Sequence, residues 1–124
     1  MPDTRLLETF PAPSDVPFVI EHVAEEFTSV CPKTGHPDFG VVTLRYSPAA
    51  GGACVELKIL KLYYQSFRNE GIYYEAVTHT IRDDLVRLMK PRWLQVITHW
   101  KGRGGIHSQI RADAGDVPAE WKAL

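Results

Sequence analysis

Between Ile72 and Met89 the chain carries one strongly one-sided stretch, which limits its architecture more than any other segment. Tyr73, Ala76, Val77, Thr80, Ile81, Asp84, Leu85 and Leu88 recur at i, i+3, i+4, i+7 steps, and all but Thr80 and Asp84 are apolar. The spacing predicts an amphipathic helix, and Pro91 ends it. A single apolar stripe must be covered by another layer. The flanking segments offer strands for that purpose. PFVIEHVAEEFT (17–28) mixes β-branched and aromatic residues with polar ones, and FGVVTLRY (39–46) alternates. SVCPKTGHPD (29–38) is punctuated by Pro32, Gly35 and Pro37 and reads as a loop. After the loose connection SPAAGGA, Cys54–Lys58 is a short strand or the lead into a helix beginning near Leu60. Trp93–Trp100 and Ile106–Ala112 read as two more strands around KGRGG.

The resulting order is β-β-α-α-β-β, an α+β chain with an antiparallel sheet covered on one face by two helices. Four strands in an open sheet leave two unpaired edges, and a small core with free edges is usually completed by neighbouring copies. A homo-oligomer is therefore expected. The 124 residues fit one domain, taken as 17–112. An irregular, proline-bearing arm (1–16) precedes it, and a tail (113–124) follows whose Trp121 is expected to dock on the body. Fourteen Lys and Arg against fifteen Asp and Glu argue against holding nucleic acid by bulk charge. No apolar run approaches the ~18 residues of a membrane helix, and MPDTRLLETFPAPSD does not have a secretory pattern. Cys31 and Cys54 form neither a disulfide framework nor a C-x-x-C pair. The expectation is a cytoplasmic, reduced protein.

Cys31 lies in the Pro/Gly-rich loop, with Lys33 two residues on and Asp38 seven residues on. A loop cysteine near a cation can ionise and attack as a thiolate, and a nearby carboxyl group can shuttle the proton. The same residues also read as a small half-buried side chain and a solvated acid. Cys54, in an apolar strand context, reads as structural. Cys31, His36, Cys54, His79, His99 and His107 show no recognised metal-ligand spacing. Glu56, Lys58, Lys61, Arg68 and Arg103 form a charged group whose cations suit phosphates or merely a solvated face, with Gly104-Gly105 allowing close approach. No G-x-G-x-x-G follows a strand, so a phosphorylated cofactor would have to be held by side chains. Glu75 opens the strongest helix, near the positive end of its dipole. A carboxylate there presents two acceptors that match adjacent N–H donors on a guanine-like ring, unless it is only a helix-start acid.

Taken in order, SVCPKTGHPDF (29–39), VELKILKLY (55–63), SFRNEGIYYE (66–75) and RGGI (103–106) resemble the 7-cyano-7-deazaguanine reductases. These are NADPH-dependent nitrile reductases of queuosine biosynthesis, here in their short, single-module form. The resemblance runs from about Glu21 to Ile110. It implies the tunnelling fold shared with GTP cyclohydrolase I, whose ββααββ units join side by side into a barrel with active sites at subunit interfaces. It implies that Cys31 adds to the nitrile of 7-cyano-7-deazaguanine to give a thioimide and that Asp38 donates the proton. Glu75 and Tyr74 would read the deazaguanine edge, with Val55, Glu56 and Leu57 as a second substrate-contacting stretch. Lys58, Lys61 and Arg103 would contact NADPH, of which a four-electron reduction needs two per turnover, with no metal. The product, 7-aminomethyl-7-deazaguanine, is later inserted into tRNA by a different enzyme.

Ile59 stands where the family usually has Ser or Ala, and Tyr74 where many members have His; Tyr still donates and stacks. Archaeosine-type amidinotransferases form the same thioimide and then add ammonia, but they lack the NADPH signature that Glu56, Lys58 and Lys61 retain here. A non-catalytic relative of the same fold is the remaining alternative.

Overall fold

A computed structural model describes residues 2–122. Among them the elements run β1 (Thr9–Pro11), β2 (Ile20–Val30), β3 (Pro37–Ser47), β4 (Ala53–Val55), α1 (Leu57–Gln65), α2 (Tyr74–Met89), β5 (Trp93–Arg103) and β6 (Ile106–Gly115). The four long strands form one antiparallel sheet in the order β2-β3-β5-β6, so the expected α+β, ββααββ unit is present. β2 and β6 are its edges. The N-terminal arm is not wholly irregular. Thr4–Leu6 makes a 3-10 turn, and β1 pairs with β4 as a separate two-stranded ribbon. Pro11 is tolerated there because this short ribbon ends at it.

The helices start and stop for local reasons. Glu56 caps α1, its two carboxylate oxygens accepting from the Lys58 and Ile59 N–H groups at 2.9 and 3.0 Å. α2 ends at Lys90, which takes the left-handed conformation (φ 48°) just before Pro91. The buried stripe of α2 is Val77, Thr78, Ile81, Leu85 and Met89, whereas Tyr73 is exposed and Asp84 accepts the Tyr63 hydroxyl at 2.6 Å. Thr78 replaces the expected Ala76 on the core side because its hydroxyl is satisfied internally.

Both helices pack on one face of the sheet, burying Leu60, Tyr63, Val77, Ile81 and Leu85 against Val42, Leu44, Tyr46, Leu94 and Val96. Phe27 meets Tyr64 and Trp100 edge-on, with centroids 5.8 and 5.9 Å away. Such contacts add ~0.5–1.5 kcal/mol each beyond the area buried. Register places Ile20, His22 and Ala24 on this helix-side face, opposite Tyr46, Leu44 and Val42. A bulge at Glu25 and Glu26 then shifts the phase, so Phe27 and Ser29 also face the helices, opposite Gly40 and Asp38. The loop is accordingly shorter than the sequence suggests: β2 continues to Val30, and Asp38 belongs to β3. On the opposite face Trp121 docks under Arg45 (4.9 Å to the ring centroid), and Gln95 donates to its carbonyl at 2.6 Å.

Candidate active site

Cys31 follows β2 directly, and its position is set by backbone pairing on two sides. Its N–H donates to the His36 carbonyl and its carbonyl accepts from Gly35, both at 2.9 Å, closing a tight turn in which Gly35 has φ 73°. The preceding residue, Val30, is bridged to the segment before α2, accepting from Ile72 N and donating to the Glu70 carbonyl. That bridge brings the start of α2 beside the sulfur. Cys31, Thr34, Asp38, Tyr74, Glu75 and Arg103 are thereby gathered around one cavity of about 310 Å³, large enough for a bicyclic heterocycle.

The electrostatics favour an anionic sulfur. The Cys31 thiol is lowered to about 6, first by the hydroxyl and N–H of Thr34, then by the Arg103 guanidinium and the Lys33 N–H, while burial opposes them. Arg103 Nη1 lies 3.4 Å from Sγ, and its Nη2 pairs with Asp38 Oδ1. Asp38, 5% exposed, also accepts from the Tyr74 hydroxyl at 3.3 Å, while its Oδ2 is buried with no partner among the described residues. Burial first, and then the Asp38 charge, push the Tyr74 hydroxyl upward, so it remains a neutral donor. Glu75 is exposed at the cavity mouth in the first turn of α2.

Tyr74 is held by a layer that sequence reasoning missed. Its ring lies on Trp100, with centroids 4.1 Å apart and planes 7° from parallel, and Arg103 covers it at 5.4 Å. Trp100 Nε1 donates to Thr98 Oγ1 at 2.9 Å, and Thr78 donates to the Tyr74 carbonyl at 2.9 Å. Thr98 must therefore donate to Thr78 across their 2.8 Å contact, since each hydroxyl has one hydrogen. Nothing in the spacing of these residues announces the relay. Thr34, next to the expected Cys31 and Lys33, was the more findable omission.

The remaining expected residues lie elsewhere. Val55 is core, its N–H bonded to the Tyr46 hydroxyl, and Glu56 is occupied with capping α1. Leu57, Lys58 and Lys61 line a separate groove of about 550 Å³ between β2 and α1, bordered by His22 and Tyr64. Its exposed ammonium groups on an open apolar wall suit the phosphates and rings of a dinucleotide. Arg103, expected with these lysines, lies instead on Cys31 and Asp38.

Residues 37–119 match the family described as QueF-like protein. The chain is 53% identical over 117 residues to the NADPH-dependent 7-cyano-7-deazaguanine reductase of an Anaeromyxobacter species (strain K), covering 94% of each. It is 55% identical over 111 residues to the protein of that name from Chloroherpeton thalassium, covering 87% of this chain and 92% of that one. For the one from Chlorobium phaeobacteroides the identity is 60% over 96 residues, covering 77% and 80%. In fold it is similar to the archaeosine synthase QueF-Like in the apo form, with a TM-score of 0.71 at 22% identity, covering 85% of this chain and 99% of that one. The chain belongs to the QueF-like family, among the NADPH-dependent 7-cyano-7-deazaguanine reductases.

Proposed function

We propose that this chain reduces the nitrile of 7-cyano-7-deazaguanine to the aminomethyl group, with Cys31 as nucleophile, Asp38 as proton shuttle, and Glu75 and Tyr74 as readers of the ring. The observation that carries the reading is the gathering of a thiol lowered to about 6, a buried acid and a helix-start carboxylate around one cavity. The Cys31 sulfur adds to the nitrile carbon, a C–S bond forms, and one C–N π bond breaks onto nitrogen. Because the sulfur attacks as a thiolate, the proton that quenches that nitrogen comes from solvent by way of Asp38, giving a neutral thioimide. Asp38 Oδ2 suits this transfer, because Oδ1 is already committed to Arg103 and Tyr74. Glu75 accepts from the ring N–H and exocyclic amine, orienting the nitrile toward sulfur. The covalent bond keeps the half-reduced substrate from escaping.

The thioimide carbon takes one hydride from NADPH. The C–S bond then breaks, returning the Cys31 thiolate and leaving an imine. That imine is reduced by a second NADPH, the remaining protons coming from solvent, so each nitrile consumes two molecules of NADPH. Lys58 and Lys61 hold its phosphates. The second substrate stretch, Val55–Leu57, lies away from the Cys31 cavity within one chain, because its groove shares no lining residue with that cavity. Side-by-side assembly through the edges of β2 and β6 would let a neighbouring copy supply it, with the site at the interface. The substrate is the free small molecule, without direct nucleic-acid or membrane binding, and the enzyme works in the cytoplasm.

Whole-protein mass after mixing with the nitrile, without NADPH, tests the chemistry. One added substrate mass is expected, lost in Cys31→Ala, followed by NADPH consumption when the cofactor is supplied. An adduct without NADPH consumption would instead assign the chain to the amidinotransferases. No adduct would end the nucleophile assignment.

A further inference from the structure

Among the described residues, Arg103 is the one charged side chain that hydrogen-bonds both the nucleophile and the acid of the cavity. It comes from the end of β5, beyond a register shift between Trp100 and Arg103. There a turn through Gly104 (φ 56°) and Gly105 (φ 81°) reverses the chain into β6. Both glycines take conformations that other residues enter at a cost, and the turn returns the chain with Ile106 and Ser108 on the same cavity wall. The guanidinium forks across two partners: Nη1 faces Cys31 Sγ at 3.4 Å, and Nη2 pairs with Asp38 Oδ1. Its carbon stands 5.4 Å over the Tyr74 ring. Lys58 and Lys61, the expected cofactor cations, line a different groove.

We propose that Arg103 is a positioning residue of the chemical step, a fixed cation that keeps the Cys31 sulfur anionic and turns Asp38 so that Oδ2 is left to carry the proton. A guanidinium does not give up its own proton near neutral pH, so it acts through charge and direction rather than as an acid. The groups facing the sulfur are Lys33 in the loop, Asp38 on β3, Tyr74 and Glu75 on α2, and Arg103 on β5. Two of these are acids, whose charge cannot stabilise an anionic sulfur. Lys33 approaches through its N–H, leaving Arg103 as the cation bonded to sulfur. Removing Arg103 would strip the sulfur of that cation and leave the Asp38 charge uncompensated beside it. Both changes push the thiol toward protonation.

The inference rests on Cys31 being the nucleophile of the proposed reduction, and its test reads the sulfur without substrate or cofactor. The full chain is alkylated with iodoacetamide across pH 4.5–9.5, Cys31→Ala supplying the background, and NADPH KM and kcat are measured separately. In the native chain the rate should rise through a midpoint of about 6. Arg103→Ala should raise that midpoint by ~1 pH unit or more. Arg103→Lys, which keeps charge but loses the fork, should fall between the two. At pH 7 kcat should fall ~2-fold or more in Arg103→Ala and recover at higher pH, with NADPH KM changed less than ~3-fold. An unmoved alkylation midpoint in Arg103→Ala overturns the proposal. So does a raised NADPH KM with an unchanged midpoint, which would return Arg103 to the cofactor. If the native chain consumed no NADPH, the reductase reading would fail while the alkylation midpoints still reported on the Arg103–Cys31 contact.

Discussion

Gly40 and Trp100 face each other across β3 and β5 so closely that a carbon added to Gly40 would lie 2.8 Å from the indole Cε3 and 2.9 Å from the His99 carbonyl oxygen. One obstacle is backbone, so the chain cannot clear both by rotating a side chain. The vacancy at position 40 is what lets Trp100 lie flat under Tyr74.

Gly40→Ala should therefore cost about 1–3 kcal/mol of stability, read as a lower urea midpoint with an unchanged slope. Because Trp100 must shift and Tyr74 rests on it, kcat should fall as well. A variant as stable and active as the native chain would show that the indole is not confined as described.

Proton release from Cys31 sets a pH limit. With the thiol at about 6, adduct formation should be nearly flat above pH 7 and fall ~10-fold per unit well below 6 as sulfur protonates. An ordinary thiol, with a pKa of ~8.5, would still be gaining rate between pH 7 and 8. Stopped-flow measurement of thioimide formation separates the two. Continued gain through that interval would show that Thr34 and Arg103 do not hold the anion.

Glu75→Ala should weaken binding of the deazaguanine by ~2–4 kcal/mol, since ring donors inside the cavity lose a charged acceptor. The side chain is exposed, so stability should change by less than ~1 kcal/mol, mostly through the helix dipole. Calorimetric titration and a denaturation curve on the same sample measure both. Unchanged affinity would remove Glu75 from ring recognition.

Glu56→Ala deletes the cap of α1, and the Lys58 and Ile59 N–H groups lose their acceptors. A loss of ~1 kcal/mol is expected in denaturant unfolding. Within one chain Glu56 does not line the Cys31 cavity, so alkylation of Cys31 should be untouched unless a neighbouring copy brings its Glu56 there. A change in its rate would support the neighbouring copy's Val55–Leu57 stretch lying at the sulfur.

Periodicity records which face of an element is buried, and so the α2 helix and the four long strands were readable from residues alone. What it records poorly is an offset. The bulge falls on Glu25 and Glu26, two polar residues without a glycine to mark them, and it alone carries the inward phase of β2 past Phe27. The core position of Thr78 was hidden for a similar reason: a hydroxyl looks polar until its partner, Thr98, arrives from another element. Cys31, Asp38, Tyr74 and Glu75, picked out through their local motifs, do line one cavity. Arg103 was grouped with Lys58 and Lys61 by charge, because its pairing with a residue 72 positions earlier exists only in space.

The doubled step at Glu25 and Glu26 also works as a molecular vernier. Removing either residue would set Ala24 and Phe27 two positions apart, so plain alternation would keep both halves of the strand on the same face without rotation. Phe27, 2% exposed, anchors the later half more firmly than the partly exposed Ile20 and His22 anchor the earlier one. The shortened chain should therefore keep both its sulfur and the groove of Lys58 and Lys61 on the helix side, losing only the local kink. A deletion between Phe27 and Cys31 would do the reverse, leaving a well-folded stave with its chemistry pointed at the wrong side of the wall.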